Sequence, residues 1–194
     1  MLTSTKMTEK TKKQEKINFE IEIPNEIEVV IEGHKLILKK QGNEITRVFD
    51  KELKVTKQGN MVIISAEKAR KNERRKLGTL KSHINNMIEG LNSGYEYELE
   101  ICNIHFPMTV TYDKAKSEFI IKNLLGEKAP RIIKVDKRIE VEIKAPKIKI
   151  KSYNIELAGQ AAANLEKISK IRNRDRNKFQ DGIFITKKPG AEFL

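Results

Sequence analysis

The sequence predicts an α+β protein built from two tandem duplicated domains, each an antiparallel β-sheet covered by a helix. Three observations carry this. Apolar residues alternate with polar ones along most of the chain, the alternation gives way twice to a helical period, and the two changes lie about 80 residues apart. A length of 194 residues accommodates two small domains.

The elements follow in order. Residues 1–16 are Lys, Thr, Glu and Gln with almost nothing apolar, which predicts a flexible basic tail. The first domain is expected over residues 17–94. Ile17, Phe19, Ile21 and Ile23 alternate with polar residues as a half-buried strand that stops at Pro24-Asn25. Ile27, Val29 and Ile31 repeat the pattern to Gly33-His34, and Lys35–Lys40 forms the returning strand of a hairpin. Gln41-Gly42-Asn43 and Gln58-Gly59-Asn60 are turn signals, with short strands expected around Arg47–Phe49, Leu53–Val55 and Met61–Ser65. Leu77, Leu80, Ile84, Met87, Ile88 and Leu91 then fall on one helical face. That helix is expected to begin near Ala66–Glu67 and to end between Gly90 and Gly94. Its first turns carry Lys68, Arg70, Lys71, Arg74, Arg75 and Lys76, and cations there oppose the helix dipole.

The second domain is expected over residues 95–186. Tyr95, Tyr97, Leu99 and Ile101 make a strand, and Phe106–Tyr112 and Phe119–Lys122 flank a turn. A glycine loop runs from Leu124 to Arg131, and strands are expected at Ile132–Val135, Arg138–Ile143 and Ile148–Ser152. Leu157, Ala158, Ala161, Ala162, Leu165 and Ile168 mark a helix with Asn154 as its N-cap. Gly126 follows Gly42 by 84 residues and Gly159 follows Gly78 by 81, the spacing of an internal duplication. A short strand at Gly182–Thr186 closes the domain, and residues 187–194 are expected as a basic C-terminal tail.

Charge points to the partner. The chain carries 39 Lys and Arg against 27 Asp and Glu, a net +12. Residues 144–194 alone hold 12 basic and 5 acidic groups, +7 of that total. Clustered cations are the footprint of a phosphate-backbone partner. Arg172-Asn173-Arg174-Asp175-Arg176-Asn177-Lys178 mixes planar guanidinium forks with amides suited to phosphate and ribose oxygens. Phe179 reads as an anchor for this loop or as a base-stacking ring. The Arg/Asn mixture, without an amphipathic aromatic face, argues against a membrane surface. No apolar run approaches the roughly 20 residues of a membrane span, and the opening residues predict no secretory leader.

Signals for catalysis are missing. His34, His83 and His105 have no Cys or His at ligand spacing, so no metal is expected. Cys102, the single cysteine, excludes an internal disulfide and reads as an inert thiol. No glycine run matches a phosphate-binding fingerprint, and no serine sits in a nucleophile elbow. Glu20, Glu22, Glu98 and Glu100 alternate with apolar residues as the wet face of strands. No enzyme, cofactor or small-molecule substrate is expected. The competing class is a free-standing nucleic-acid-binding enzyme or regulator using the same basic surface, which would need paired acid and base groups or carboxylates able to hold Mg²⁺.

Four segments together resemble one family. Asn123-Leu124-Leu125-Gly126-Glu127-Lys128 followed by Arg131 resembles a loop of the universal ribosomal protein L-six family, called L-nine in eukaryotic ribosomes. Asn154-Ile155-Glu156-Leu157-Ala158-Gly159-Gln160-Ala161-Ala162-Ala163 is similar to its second-domain helix. Ser82-His83-Ile84-Asn85-Asn86-Met87-Ile88-Glu89-Gly90 is similar to its first-domain helix end. Arg174-Asp175-Arg176-Asn177-Lys178-Phe179-Gln180-Asp181-Gly182-Ile183-Phe184 resembles the closing segment of the archaeal and eukaryotic branch. The matches run in family order from about Ile17 to Thr186. The resemblance implies a cytoplasmic, structural ribonucleoprotein component of the large ribosomal subunit. Its second domain would be the main RNA-binding domain, docked on large-subunit ribosomal RNA near the sarcin–ricin loop and stalk base. Neighbouring large-subunit and stalk-base proteins would be partners, with translational GTPases nearby. The expected RNA-binding residues are Lys122, Lys128 and Arg131 around the glycine loop, and Arg172, Arg174, Arg176, Lys178, Lys187 and Lys188 in the final quarter.

Overall fold

A computed structural model describes residues 17–66 and 70–192. The expected basic tail over 1–16 lies outside them, as does Lys68 of the expected helix start. The chain divides into two compact units. One holds the chain through Leu38 with Thr46–Asn85; the other holds Lys39–Ile45 and everything from Asn86 onward.

The first half contains six strands and then a helix. The strands are β1 (Ile17–Glu22), β2 (Glu28–Glu32), β3 (Lys35–Lys40), β4 (Asn43–Val48), β5 (Leu53–Gln58) and β6 (Met61–Ala66), and α1 spans Lys71–Ser93. The second half repeats the count. β7 (Tyr95–Cys102), β8 (Thr109–Asp113), β9 (Glu118–Lys122), β10 (Arg131–Lys134), β11 (Glu140–Lys144) and β12 (Lys147–Ser152) precede α2 (Ile155–Ser169). The pairing repeats as well: β1-β6-β5 in the first half matches β7-β12-β11 in the second, and β2-β3-β4 matches β8-β9-β10. Each half therefore divides its strands between two sheets, where alternation alone suggests one. Alternation reports which side chains are buried and carries no information on which neighbour a strand pairs with.

What distinguishes the second half is an addition. β13 (Gly182–Lys188) runs antiparallel to β7 on the edge that β12 leaves open, and β14 (Ala191–Glu192) pairs with the end of β13. In the β1-β6-β5 sheet, by contrast, β1 is the end strand. The segment expected as a tail over 187–194 is thus strand and turn through Glu192: Pro189-Gly190 turns the chain back, with Gly190 at φ 79°. Lys187-Lys188 read as the start of a tail because exposed lysines at a strand end resemble a loop in composition.

Helix limits differ at one end. The first helix begins at Lys71, since Ala66 is still paired to Ile17 and Leu53 in the sheet. It ends where expected, at Gly94 with φ 70°. Leu77, Leu80 and Ile84 are buried on its apolar face. Lys76, in the second turn, forms ion pairs with Asp50 at 3.0 Å and Glu52 at 2.7 Å, so part of the cationic helix start is neutralised within its own unit.

In the second unit α2 packs on β7, β12 and β13. Its inner face is Ala158, Ala161, Ala162 and Leu165, all at most 3% exposed, against Leu99, Ile148, Ile150 and Ile183. Alanines bring the helix backbone close to the sheet. A Cβ at Gly159 would meet the Tyr97 hydroxyl at 2.9 Å. Asn154 caps α2 as expected, its side chain accepting from the Glu156 amide at 2.9 Å. On the opposite face of β7, Lys149 lies 3.0 Å from both Glu96 and Glu98, and Lys151 lies 2.8 Å from Glu96. These hydrogen bonds hold the Glu96 carboxyl down to about 2.

Two helical glycines are predicted to respond in opposite senses. A Cβ at Gly78 meets nothing within 4 Å, so Gly78→Ala should stabilise by about 1 kcal/mol through helix propensity. A Cβ at Gly90 runs into the backbone carbonyl of Tyr153 and the Tyr95 ring, so Gly90→Ala should lower the thermal midpoint despite the same propensity gain. Thermal unfolding of the two variants checks this; equal shifts would contradict the packing at Gly90.

Candidate nucleic-acid interface

Three segments of the second unit meet at one end of β7. The first is the β7–β8 loop, with Ile104 64% and Phe106 47% exposed. The second is the loop from Asn123 to Pro130. The third is the stretch from Lys170 to Asp181 between α2 and β13. Hydrogen bonds and ring contacts join them, and each joint has a physical reason.

The Asn123–Pro130 loop is tightly wound. Asn123, Leu125 and Gly126 have φ of 59°, 48° and 80°, and Leu124–Gly126 form a short 3-10 turn. Left-handed leucine is costly, on the order of 1–3 kcal/mol, and persists only where its surroundings hold it. Here Leu124 is sunk in the core at 2% exposure, and the Asn123 amide donates to the Pro107 carbonyl at 2.9 Å. The loop therefore leans on the β7–β8 loop and presents Lys122 and Lys128 outward.

Arg131, at the start of β10, ties the same loop to α2. Its Nε donates to Glu127 at 2.8 Å, and its guanidinium also donates to the carbonyls of Ile168 and Lys170. A cation on the last carbonyls of a helix satisfies unpaired acceptors and complements the dipole. The Arg131 bond holds the Glu127 carboxyl below the ordinary glutamate value. The sequence places Arg131 among the phosphate-binding residues, but its donors are committed to Glu127 and the end of α2. The helix end that Arg131 reaches lies 37 to 39 residues further along the chain, and no local sequence pattern links the two.

The third segment carries the arginines. Asn173 is left-handed at φ 57°, and Asp175 organises a turn by accepting from the Asn177 amide at 3.0 Å through its side chain and from the Lys178 and Phe179 amides through its carbonyl. Arg172, Arg174, Arg176 and Lys178 are all exposed around this turn. Arg174 lies over the Phe179 ring at 5.1 Å and Arg176 over the Phe184 ring at 5.2 Å. Phe179 is half-buried and its ring sits 5.1 Å from that of His105, so the ring does anchor the segment.

An anchor that sequence reasoning misses is Asp181. At 4% exposure it accepts from the His105 backbone amide at 2.9 Å and from His105 Nδ1 at 2.6 Å. Burial by itself raises the Asp181 carboxyl; the hydrogen bonds from the His105 amide and ring, the His105 charge and the Ile104 amide outweigh it and leave the pKa below the ordinary aspartate value. The two residues are 76 apart in sequence, and no local pattern links them. Ser169 completes the joint: buried at 1%, it accepts from the Ile183 amide at 2.9 Å and fastens the end of α2 to the start of β13.

Of the nine residues expected to bind RNA, Lys128, Arg172, Arg174, Arg176 and Lys178 belong to these segments, while Lys122 and Arg131 flank the Asn123–Pro130 loop at the end of β9 and the start of β10. Lys187 and Lys188 do neither. They lie at the far end of β13, roughly 15–20 Å along the strand from Gly182 at about 3.3 Å per residue, beside Glu192 and Ala191 of β14. Among the described residues no cluster of His, Cys, Asp or Glu could hold a metal ion, and no helix is long and apolar enough to cross a membrane.

No protein-family model matches the chain, but individual proteins resemble it along most of its length. It is 39% identical over 173 residues to the large ribosomal subunit protein uL6 of Methanobrevibacter smithii, covering 89% of this chain and 96% of that protein. It is 37% identical over 175 residues to uL6 of Methanococcus vannielii, covering 90% and 95%. Against uL6 of Haloarcula marismortui it is 33% identical over 171 residues, covering 88% and 95%.

The Asp181 clasp has a pH signature. Because the folded carboxyl titrates below its unfolded value, its contribution is present above the unfolded aspartate pKa and is lost as pH falls through the folded one. Asp181→Asn should cost roughly 2 kcal/mol at neutral pH and progressively less as the wild type is acidified below the ordinary aspartate range. Chemical denaturation of both proteins across that range checks it. A constant difference would mean that the carboxylate charge contributes nothing.

Proposed function

The chain belongs to the uL6 family of large ribosomal subunit proteins, in its archaeal form, and from that premise we propose that it braces large-subunit ribosomal RNA near the sarcin–ricin loop and stalk base. Its role there is structural. As a cytoplasmic component of the large subunit it holds that RNA, beside neighbouring large-subunit and stalk-base proteins, so that translational GTPases meet a fixed surface. The placement near the sarcin–ricin loop rests on the family resemblance of the Asn123–Arg131 loop and the Arg174–Phe184 segment.

The observation that carries the mechanism is the exposed arginine turn clamped at both ends. Arg172, Arg174, Arg176 and Lys178 stand on a segment held by Ser169 on one side and by the Asp181–His105 bond on the other. Cations fixed before binding lose less conformational freedom on meeting phosphates than cations on a free tail. Their contacts would position the RNA and neutralise charge, with little direct reading of bases. Lys122 and Lys128 extend the same surface from the neighbouring loop. Lys187 and Lys188, further along β13, would meet a separate stretch of backbone.

Two measurements test this. With roughly six to eight phosphates engaged, log affinity for a large-subunit RNA fragment should fall with log salt at a slope of about −4 to −7. Replacing Arg172, Arg174 and Arg176 together by Gln should weaken that affinity and flatten the slope by about 2 to 3, with the thermal midpoint unchanged. Normal binding by the triple variant would mean that the wrong surface has been assigned, and a wild-type slope near zero would remove the phosphate mechanism.

A further inference from the structure

A concavity of about 450 Å³ opens between the last turns of α2, the arginine turn and β13. We propose that it is a receptor for a single unstacked base of the bound RNA, extruded from its helix and stacked among guanidinium and aromatic planes. This rests on the RNA-binding reading above and adds to it a defined recognition site.

Size, charge and planar surfaces all suit that occupant. The volume falls within the range of small-molecule sites, roughly 300–1,000 Å³. Lys167, Lys170, Arg174 and Arg176 line it, with Phe179 and Phe184 as its aromatic surfaces. Two carboxylates, Glu166 and Asp181, also line it; Asp181 is already bound to His105, which leaves Glu166 against four cations. Two guanidinium–ring pairs, Arg174 with Phe179 and Arg176 with Phe184, occupy the same concavity. Splayed bases are held by stacking on aromatic rings and arginine planes, while the adjoining phosphates need cations at the rim, the place of Lys167 and the exposed Lys170. An acidic peptide would satisfy the cations but leave the rings without a partner.

The floor is built rather than incidental. Gly182 adopts φ 152°, a backbone conformation that side chains rarely adopt, and a Cβ there would meet the Phe184 ring at 3.2 Å. Glycine at this position lets the Phe184 ring lie back against the chain. The Ser169–Ile183 bond fixes the end of α2 beside it.

The test uses the full chain with two RNA hairpins, one fully paired and one carrying a single bulged fluorescent adenine analogue. The bulged hairpin should bind at least about fivefold more tightly, the scale of one base–aromatic stack, with a change in analogue fluorescence on binding. Phe184→Leu should abolish both differences and leave affinity for the paired hairpin unchanged. Where Phe184→Leu fails to fold, Phe179→Leu should bind the bulged and the paired hairpin with equal affinity and no fluorescence change, and Phe179→Trp should retain both differences. Equal affinity for the two hairpins would overturn the base receptor while leaving phosphate binding intact. Failure of both hairpins to bind would overturn the RNA reading itself. Displacement of the bulged hairpin by a polyglutamate peptide, with the fluorescence signal unchanged on binding, would overturn the base receptor in favour of an acidic protein segment.

Discussion

The second unit depends on the closing of one sheet edge. Six strands and a helix, used twice, leave the strand that opens each half with an edge beyond its first partner. In the second half β13 occupies that edge, pairing Gly182 with Cys102 and Ile183 with Ile101. An unpaired row of backbone donors and acceptors on a long strand is a template for pairing with other chains, and β13 covers that row on β7. To reach that edge from the end of α2 the chain must cross from Lys170 to Asp181, and the crossing is where the arginines stand. The same pairing that completes the sheet therefore sets the position of the arginine segment.

A crossing of this kind would be mobile if only its ends were fixed. It is pinned inside its length as well as at its ends. Asp181 and Phe179 both engage His105, Asp175 closes an internal turn, and Ser169 joins α2 to β13. Arg131 reaches the same helix end from the neighbouring loop. The exposed cations thus project from a frame of polar contacts, of which the Ser169–Ile183 bond is buried and the Asp181–His105 bond partly so. These bonds are costly to break and confine the segment. Such a frame is what a protein needs if its task is to hold RNA in a defined shape.

Much of this is legible in the sequence, and the reasons are specific. Period-two runs locate β1, β7 and β12, and the helical spacing of Leu77 to Leu91 locates α1, because those elements bury one face against a core. The repeat is visible in glycine offsets because Gly42 and Gly126 both serve left-handed turns. The division into two sheets per half is not visible, since pairing partners leave no mark on alternation. Nor is the Asp181–His105 clasp, which joins residues 76 apart. Arg131 shows the boundary most clearly. Composition identifies a cation in a basic loop, whereas only the fold shows that its donors are taken by Glu127 and the end of α2. Phe184 reads as an ordinary strand residue, and its ring lies beside Gly182 in a place where a Cβ would press on it at 3.2 Å.

The central claim is that a rigidly held arginine turn lies against ribose-phosphate oxygens of large-subunit RNA. A map of the assembled subunit with this chain traced tests it most directly. The account predicts the guanidiniums of Arg172, Arg174 and Arg176 within hydrogen-bonding reach of phosphate oxygens, and Arg131 still turned inward on α2. The same turn facing open solvent, with no polynucleotide beside it, would contradict the account.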